Sequence, residues 1–158
     1  MDNIQIFGFK ASIDSIQNTL DLIDNIKEDG EIIQLLNADV VASKNHIIHG
    51  VNQAFLAFDR GENLANDLSV EIVLRCSAQR QISKAFKILG LHEGDMNLCA
   101  VLINCGNHLG ELSEIFDYDD SVLKADEDNL KKIYEIDDDV MPLEDLIIDK
   151  ITKLTVDY

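Results

Sequence analysis

The sequence predicts an α+β fold: one domain over residues 1–158, with a central, mostly antiparallel sheet of about four strands packed with helices. Three observations lead there. Short apolar stretches with strand spacing are interspersed with longer stretches of helical spacing. Three serines (Ser12, Ser43 and Ser77) stand where a small hydroxyl caps a helix start. A chain of 158 residues, 46% of them hydrophobic, buries one core without needing disulfides or metals.

Taken in order, Ile4 and Ile6 alternate with Gln5 and Phe7 toward Gly8, a short opening strand. Ser12 caps a helix with apolar positions Ile13, Ile16, Leu20, Ile23 and Ile26, which Glu28-Asp29-Gly30 ends. Ile32, Ile33, Leu35 and Leu36 make a second strand within 31–39. Ser43 caps a helix from Lys44 to about Phe58 that buries Ile47, Ile48, Val51, Ala54, Phe55 and Phe58. Residues 59–63 form a turn. From Leu68 to Cys76, Val70, Ile72 and Leu74 alternate with Glu71, Val73 and Arg75, the pattern of a third strand. Ser77 caps a helix over 78–89, with Ile82, Ala85, Phe86 and Leu89 inward, and Gly90 supplies its left-handed stop. Leu98–Ile103 is a fourth strand, buried on both faces. A weak helix over 108–116, an acidic loop and a short helix over 127–136 follow. Pro142 opens a last helix with the stripe Leu143, Leu146, Ile147, Ile151 and Leu154. Asp137-Asp138-Asp139 ahead of it favours its positive end. Strand order is not legible from the pattern.

The net charge is −17, but it is unevenly spread. Residues 1–39 carry two basic and eight acidic side chains, and residues 93–158 carry five and eighteen. Residues 40–92 carry six basic (Lys44, Arg60, Arg75, Arg80, Lys84, Lys87) and four acidic. Between Arg75 and His92 there are four cations and no anion. A polyanion is repelled by most of this surface and has only the middle segment to approach. The plainer alternative is a solvated helix face. Cys76, Cys99 and Cys105 are odd in number and lack CxxC spacing, so reduced, buried thiols are expected, not a disulfide framework or zinc site. No apolar run reaches the length of a membrane span. Met1-Asp2-Asn3-Ile4-Gln5 does not read as a signal peptide, so a cytoplasmic location is expected.

Motifs for chemistry are sparse. His46 and His49 share a helical face at i, i+3, but the pair is two ligands short of a metal site and no HExxH accompanies it. Cys76 has no oxyanion-type glycine motif around it and is expected to be a structural thiol. Asp117-Tyr118-Asp119-Asp120-Ser121 places Val122 where a calcium loop needs glycine. Neither GxGxxG nor a P-loop is present. The segment Arg75-Cys76-Ser77-Ala78-Gln79-Arg80-Gln81-Ile82 is the most informative. A helix start beside guanidinium and amide groups suits a phosphate, and amides read the edges of unpaired bases.

Here a family becomes recognisable. Leu36-Asn37-Ala38-Asp39-Val40-Val41-Ala42-Ser43-Lys44-Asn45-His46-Ile47-Ile48-His49-Gly50-Val51-Asn52-Gln53-Ala54 resembles archaeal members of the TPRKB-like family. So does Glu71-Ile72-Val73-Leu74-Arg75-Cys76-Ser77-Ala78-Gln79-Arg80-Gln81-Ile82, followed by Lys84-Ala85-Phe86-Lys87-Ile88-Leu89-Gly90. These are the small kinase-binding subunits of the KEOPS complex, also called EKC. Residues 1–30 and 105–158 match in pattern only.

The resemblance implies a compact α+β fold, no catalytic activity and no cofactor. It implies direct docking on the amino-terminal lobe of the Bud-family atypical kinase/ATPase, with the remaining KEOPS subunits as indirect partners. It also implies a part in recruiting tRNA by its single-stranded 3′ CCA tail, for threonylcarbamoylation of adenosine at position 37. The transfer itself belongs to another subunit. On this basis Arg75, Gln79, Arg80, Gln81 and Lys84, with Lys44, His46, His49 and Asn52, are the expected tail-binding face. Leu143, Ile147, Ile151 and Leu154 are the expected kinase-binding stripe. The competing readings are a structural adaptor that never touches RNA and, from another class, a metal-dependent hydrolase using His46 and His49.

Overall fold

The computed structural model describes residues 3–137 and 141–156, so the aspartates 138 and 139 lie outside the described residues. The chain divides into two compact units, each made of two separated stretches. The first comprises the residues up to Ala38 with Leu91–Leu123, and the second Asp39–Gly90 with the residues from Lys124 on.

The first unit holds the sheet. Strand β1 (Ile4–Ile13), helix α1 (Ile16–Ile26), β2 (Ile32–Asn37), β3 (Gly94–Ile103), α5 (Leu109–Ile115) and β4 (Asp117–Tyr118) build an α+β layer. The four strands run in the order β2-β3-β1-β4 with every pair antiparallel. Ten residues of β1 face ten of β3, from Ile4 opposite Ile103 to Ile13 opposite Gly94. Strand side chains alternate between faces, so Phe7, Phe9, Ala11 and Ile13 share one face with Met96, Leu98, Ala100 and Leu102. That face joins Ile16, Ile23 and Ile26 of α1 and Leu112 of α5 in one apolar cluster. On the other face Gly8 is required. A Cβ there would come within 2.8 Å of the Asp119 carbonyl oxygen and of Val122 Cγ2, in the short 3-10 turn Asp120–Leu123.

The opening strand therefore extends well past Gly8, because its alternation continues inward through Ile13. Ser12 belongs to the strand. The cap passes to Ser15, whose hydroxyl accepts the Asn18 N–H at 3.3 Å.

The second unit is helical: α2 (Lys44–Arg60), α3 (Leu68–Cys76), α4 (Ile82–Leu89), α6 (Glu127–Ile133) and α7 (Leu143–Val156). Ser43 caps α2 through the His46 N–H, and Gly61 ends it at φ 69°, in the left-handed region that glycine tolerates without cost. Leu130, Tyr134, Ile136, Ile147 and Ile151 form this unit's own apolar cluster.

Residues 68–76 are a helix, not the expected strand. Asp67 caps it by accepting the Ser69 and Val70 N–H groups. Every residue from Glu71 to Cys76 is buried, so apolar side chains on all sides mimic alternation. Ser77 is consequently the C-cap of α3 and does not open α4. The chain turns through Ala78 at φ 54°, with Gln79 N–H bonded to the Leu74 carbonyl and Ala78 N–H to that of Arg75, a Schellman ending with alanine in the left-handed position. Helix α4 thus begins only at Ile82. Gly90 at its end is extended, with φ −81° and ψ −176°, not left-handed. Its missing Cβ matters for space, since one would stand 2.6 Å from the Phe86 carbonyl oxygen. All three cysteines are buried and none forms a disulfide.

Candidate nucleic-acid interface

The link between α3 and α4 lies beside α7. Ala78, Gln79, Arg80 and Gln81 on one side, and Lys150, Lys153 and Leu154 on the other, line an open groove of about 510 Å³. Arg80 reaches across it, donating from Nη2 to the Leu154 carbonyl at 3.0 Å. Lys153 pairs with Asp149 at 3.0 Å on the α7 surface, both side chains more than half exposed, which screens the pair and leaves it weak. Gln81 is the N-cap of α4 and makes no side-chain cap hydrogen bond. The groove so gathers two amides, a guanidinium and two ammonium groups beside a helix start, the chemistry that receives phosphate.

Three of the nine residues expected at the tail-binding face, Gln79, Arg80 and Gln81, line the groove. Lys84 is exposed one turn along α4. Lys44 and Asn52 are exposed on α2, outside the groove lining. His49 Nε2 lies 2.8 Å from the Thr152 hydroxyl. That hydroxyl donates to the Ile148 carbonyl, so the imidazole supplies the proton. Partial burial holds His49 below the usual histidine range.

Arg75 and His46 do not belong to a surface. Arg75 is 0% exposed and donates from Nε to Glu71 Oε2 at 2.7 Å, one helical turn back. Glu71 Oε1 in turn accepts the Ala65 N–H at 2.7 Å. The pair anchors the 61–67 loop and spends the cation on a buried carboxylate. His46 is equally buried. Its Nδ1 accepts the Ala42 N–H at 3.0 Å, so Nε2 carries the proton and donates to the Cys76 carbonyl at 2.7 Å. That carbonyl ends α3 and needs a donor from outside its helix. Burial lowers the His46 pKa to about 4, against the opposing pull of the Cys76 hydrogen bond. With both ring nitrogens engaged, His46 has no lone pair for a metal. Among the described residues no group of three or more His, Cys, Asp or Glu side chains is placed to hold one.

The expected kinase stripe is largely buried. Ile147 and Ile151 are 0% exposed and Leu154 is buried, and Ile147, Ile151 and Leu143 pack within the cluster around Leu130 and Tyr134. The stripe closes the helical unit's own core. What the sequence reading missed is the part played by Lys150 and Lys153. They lie about seventy positions from Arg80, and only the placement of α7 brings them to the groove.

A second cluster of titratable groups sits in the first unit. His108 donates from Nε2 to Glu31 Oε1 and from Nδ1 to Glu111 Oε1, each at 2.7 Å. Both bonds require the imidazolium, and the two carboxylates, Glu111 foremost, raise the His108 pKa. Glu31 also accepts the Glu28 and Gly106 N–H groups at 2.8 Å. These backbone donors, with His108, bring its pKa down to about 2.

A family model described as "Kinase binding protein CGI-121" matches residues 13–153. This chain belongs to the CGI-121 family. One relative, "Regulatory protein Cgi121" from Methanocaldococcus jannaschii, is 39% identical over 107 residues, covering 65% of this chain and 68% of the relative. Another, "KEOPS complex subunit Cgi121" from Pyrococcus abyssi, is 26% identical over 130 residues, covering 80% and 70%. The CGI-121 match spans parts of both units, and includes every groove-lining residue except Leu154, which lies one position beyond it.

Proposed function

We propose that this chain is a non-catalytic regulatory subunit of a cytoplasmic KEOPS-type assembly that makes threonylcarbamoyladenosine at position 37 of tRNA. It binds the amino-terminal lobe of the Bud-family kinase/ATPase, and it helps recruit tRNA by holding the single-stranded 3′ CCA tail. Family membership, the kinase-binding description and the KEOPS name carried by a relative support the kinase and assembly part. One observation carries the RNA part. In a chain of net charge −17, the groove places Gln79, Arg80 and Gln81 opposite Lys150 and Lys153.

The surrounding acidity limits affinity, since phosphate contacts supply most of the salt-dependent binding to nucleic acid. Binding by the isolated subunit is therefore weak, and basic surfaces elsewhere in the assembly supply the rest. The same acidity favours a second reading, an adaptor that positions the kinase without touching RNA.

The test is binding to intact tRNA and to the same tRNA lacking CCA, at two salt concentrations. Arg80→Glu, and Lys150→Glu with Lys153→Glu, are measured alongside. The proposal expects binding that requires the tail, weakens with salt, and falls about tenfold or more in either variant, because each converts phosphate attraction into repulsion. Binding to neither RNA even at low salt, in protein that still captures the kinase, selects the adaptor, and equal binding to both rejects the tail as the contact.

A further inference from the structure

Helix α4 leads away from the groove and carries a feature that phosphate binding leaves unexplained. Ile82 is 49% exposed and Phe86 37% exposed. They lie one turn apart on the same face, and Ile82 directly follows Gln81 of the groove lining. Ala85 and Leu89, both 0% exposed, fill the core from the same apolar stripe, and Ile82 and Phe86 stand at its exposed edge. Behind the ring sits Gly90, where a Cβ would come within 3.2 Å of Phe86 Cδ1. The glycine makes room for the ring where it lies.

The neighbours of this pair decide its occupant. Lys84 and Lys87 are exposed on the other faces of α4, around the helix from Ile82 and Phe86, and the sequence from Arg75 to His92 holds no acidic residue. Protein–protein interfaces are depleted in lysine around their apolar anchors. Single-stranded nucleic acid is received by the opposite mixture, a cationic track with an aromatic face on which a base stacks. Because thirty acidic side chains cover the rest of the chain, an exposed apolar turn on an acid-free, lysine-bearing helix that starts at a cationic groove has a polyanion with flat apolar bases as its complement.

We infer that Phe86, with Ile82 beside it, is the base-stacking platform of the interface: a single strand lays its phosphates along the Arg80–Lys150–Lys153 groove and an unpaired base on α4. This rests on the proposed RNA reading and adds where base contact is made.

The experiment titrates the full chain with a short single-stranded RNA ending in CCA whose terminal adenine is replaced by 2-aminopurine. The fluorescence of that base is quenched when it stacks. Wild type, Phe86→Ala, Phe86→Trp and Arg80→Glu are compared at several salt concentrations, with circular dichroism and thermal melting to show that each is folded. Phe86→Ala is expected to weaken binding about tenfold, abolish the quenching and leave the salt slope unchanged. Phe86→Trp is expected to restore both, while Arg80→Glu weakens binding and flattens the slope. If Phe86→Ala binds and quenches like wild type while Arg80→Glu weakens binding, stacking is wrong and the RNA reading survives. If Phe86→Ala keeps RNA affinity but no longer co-purifies with the kinase, the patch is a protein-docking face and the inference is overturned. Absence of RNA binding by wild type at low salt overturns both.

Discussion

Arg75 and Arg80 are five positions apart and meet opposite fates. Arg80 spans a groove, whereas Arg75 faces Glu71 with neither side chain exposed. Removing one member of a buried pair strands the other charge, so Arg75→Ala is expected to cost about 3–5 kcal/mol in urea unfolding. Replacing both Glu71 and Arg75 by methionine or leucine should cost much less, since no charge is then left uncompensated. A near-neutral Arg75→Ala would contradict this account. The charge partition visible in the sequence pointed to the segment that lines the groove, because the segment's acid-free stretch needs no structure to see. It failed at Arg75 because a count of cations does not register which cation is already matched. Glu71, four positions back at helical spacing, was the available signal. His46 was misjudged for a related reason. Its exposure depended on whether the Cys76 carbonyl lay opposite, which a local pattern does not contain.

Helices α2 and α3 cross where Gly50 meets Cys76. A Cβ on residue 50 would overlap the Cys76 sulfur and approach its Cα within 3.1 Å, so the missing side chain sets how closely the two helices pack. Gly50→Ala is expected to destabilise by about 1–3 kcal/mol through overpacking. Combining it with Cys76→Ala should recover part of the loss, and the non-additivity is read from a double-mutant cycle. Additive effects would show that the contact is not shared. At this scale the long, strongly periodic α2, the strand pair β2 and β3 and the amphipathic α7 were legible. Helix α3 was not, because burial on every side removes the polar–apolar contrast from which period is read. The fourth strand was also unforeseen. With only Asp117 and Tyr118, β4 is defined by its neighbour β1 and has no pattern of its own.

The whole molecule contains two buried or nearly buried histidines with opposite proton preferences, one in each unit. His46 stays neutral down to about pH 4 in the fold but takes a proton near 6.5 when unfolded. Its contribution is complete above pH 6.5 and is lost as pH falls toward 4, a swing of about 3 kcal/mol. His108 has a raised pKa, so its contribution is complete below 6.5 and fades as pH rises through the folded value. Glu31, with its pKa lowered to about 2 from 4.5, contributes fully above 4.5 and is lost below. Acidification from pH 7.5 to 5 therefore weakens the helical unit while the Glu31–His108–Glu111 contacts of the sheet unit persist. Amide exchange by mass spectrometry, corrected for intrinsic rates, should show protection falling in α2 and α3 and holding in β1 and β3. A uniform fall across both units would refute that partition. Asp137→Asn, at an exposed position of the helical unit, is a useful control.

Sheet residues end at Ala38 and resume at Leu91, and helical residues are interrupted in turn by Leu91–Leu123. During synthesis neither unit has all its residues when the other begins, so strand β2 waits through α2, α3 and α4 for its partner β3. The sheet unit has all its residues once Leu123 is made, and the helical unit only after α7 follows. No single cut yields either alone, and exchanging one with a relative requires joining the chain at three places: between Ala38 and Asp39, between Gly90 and Leu91, and between Leu123 and Lys124.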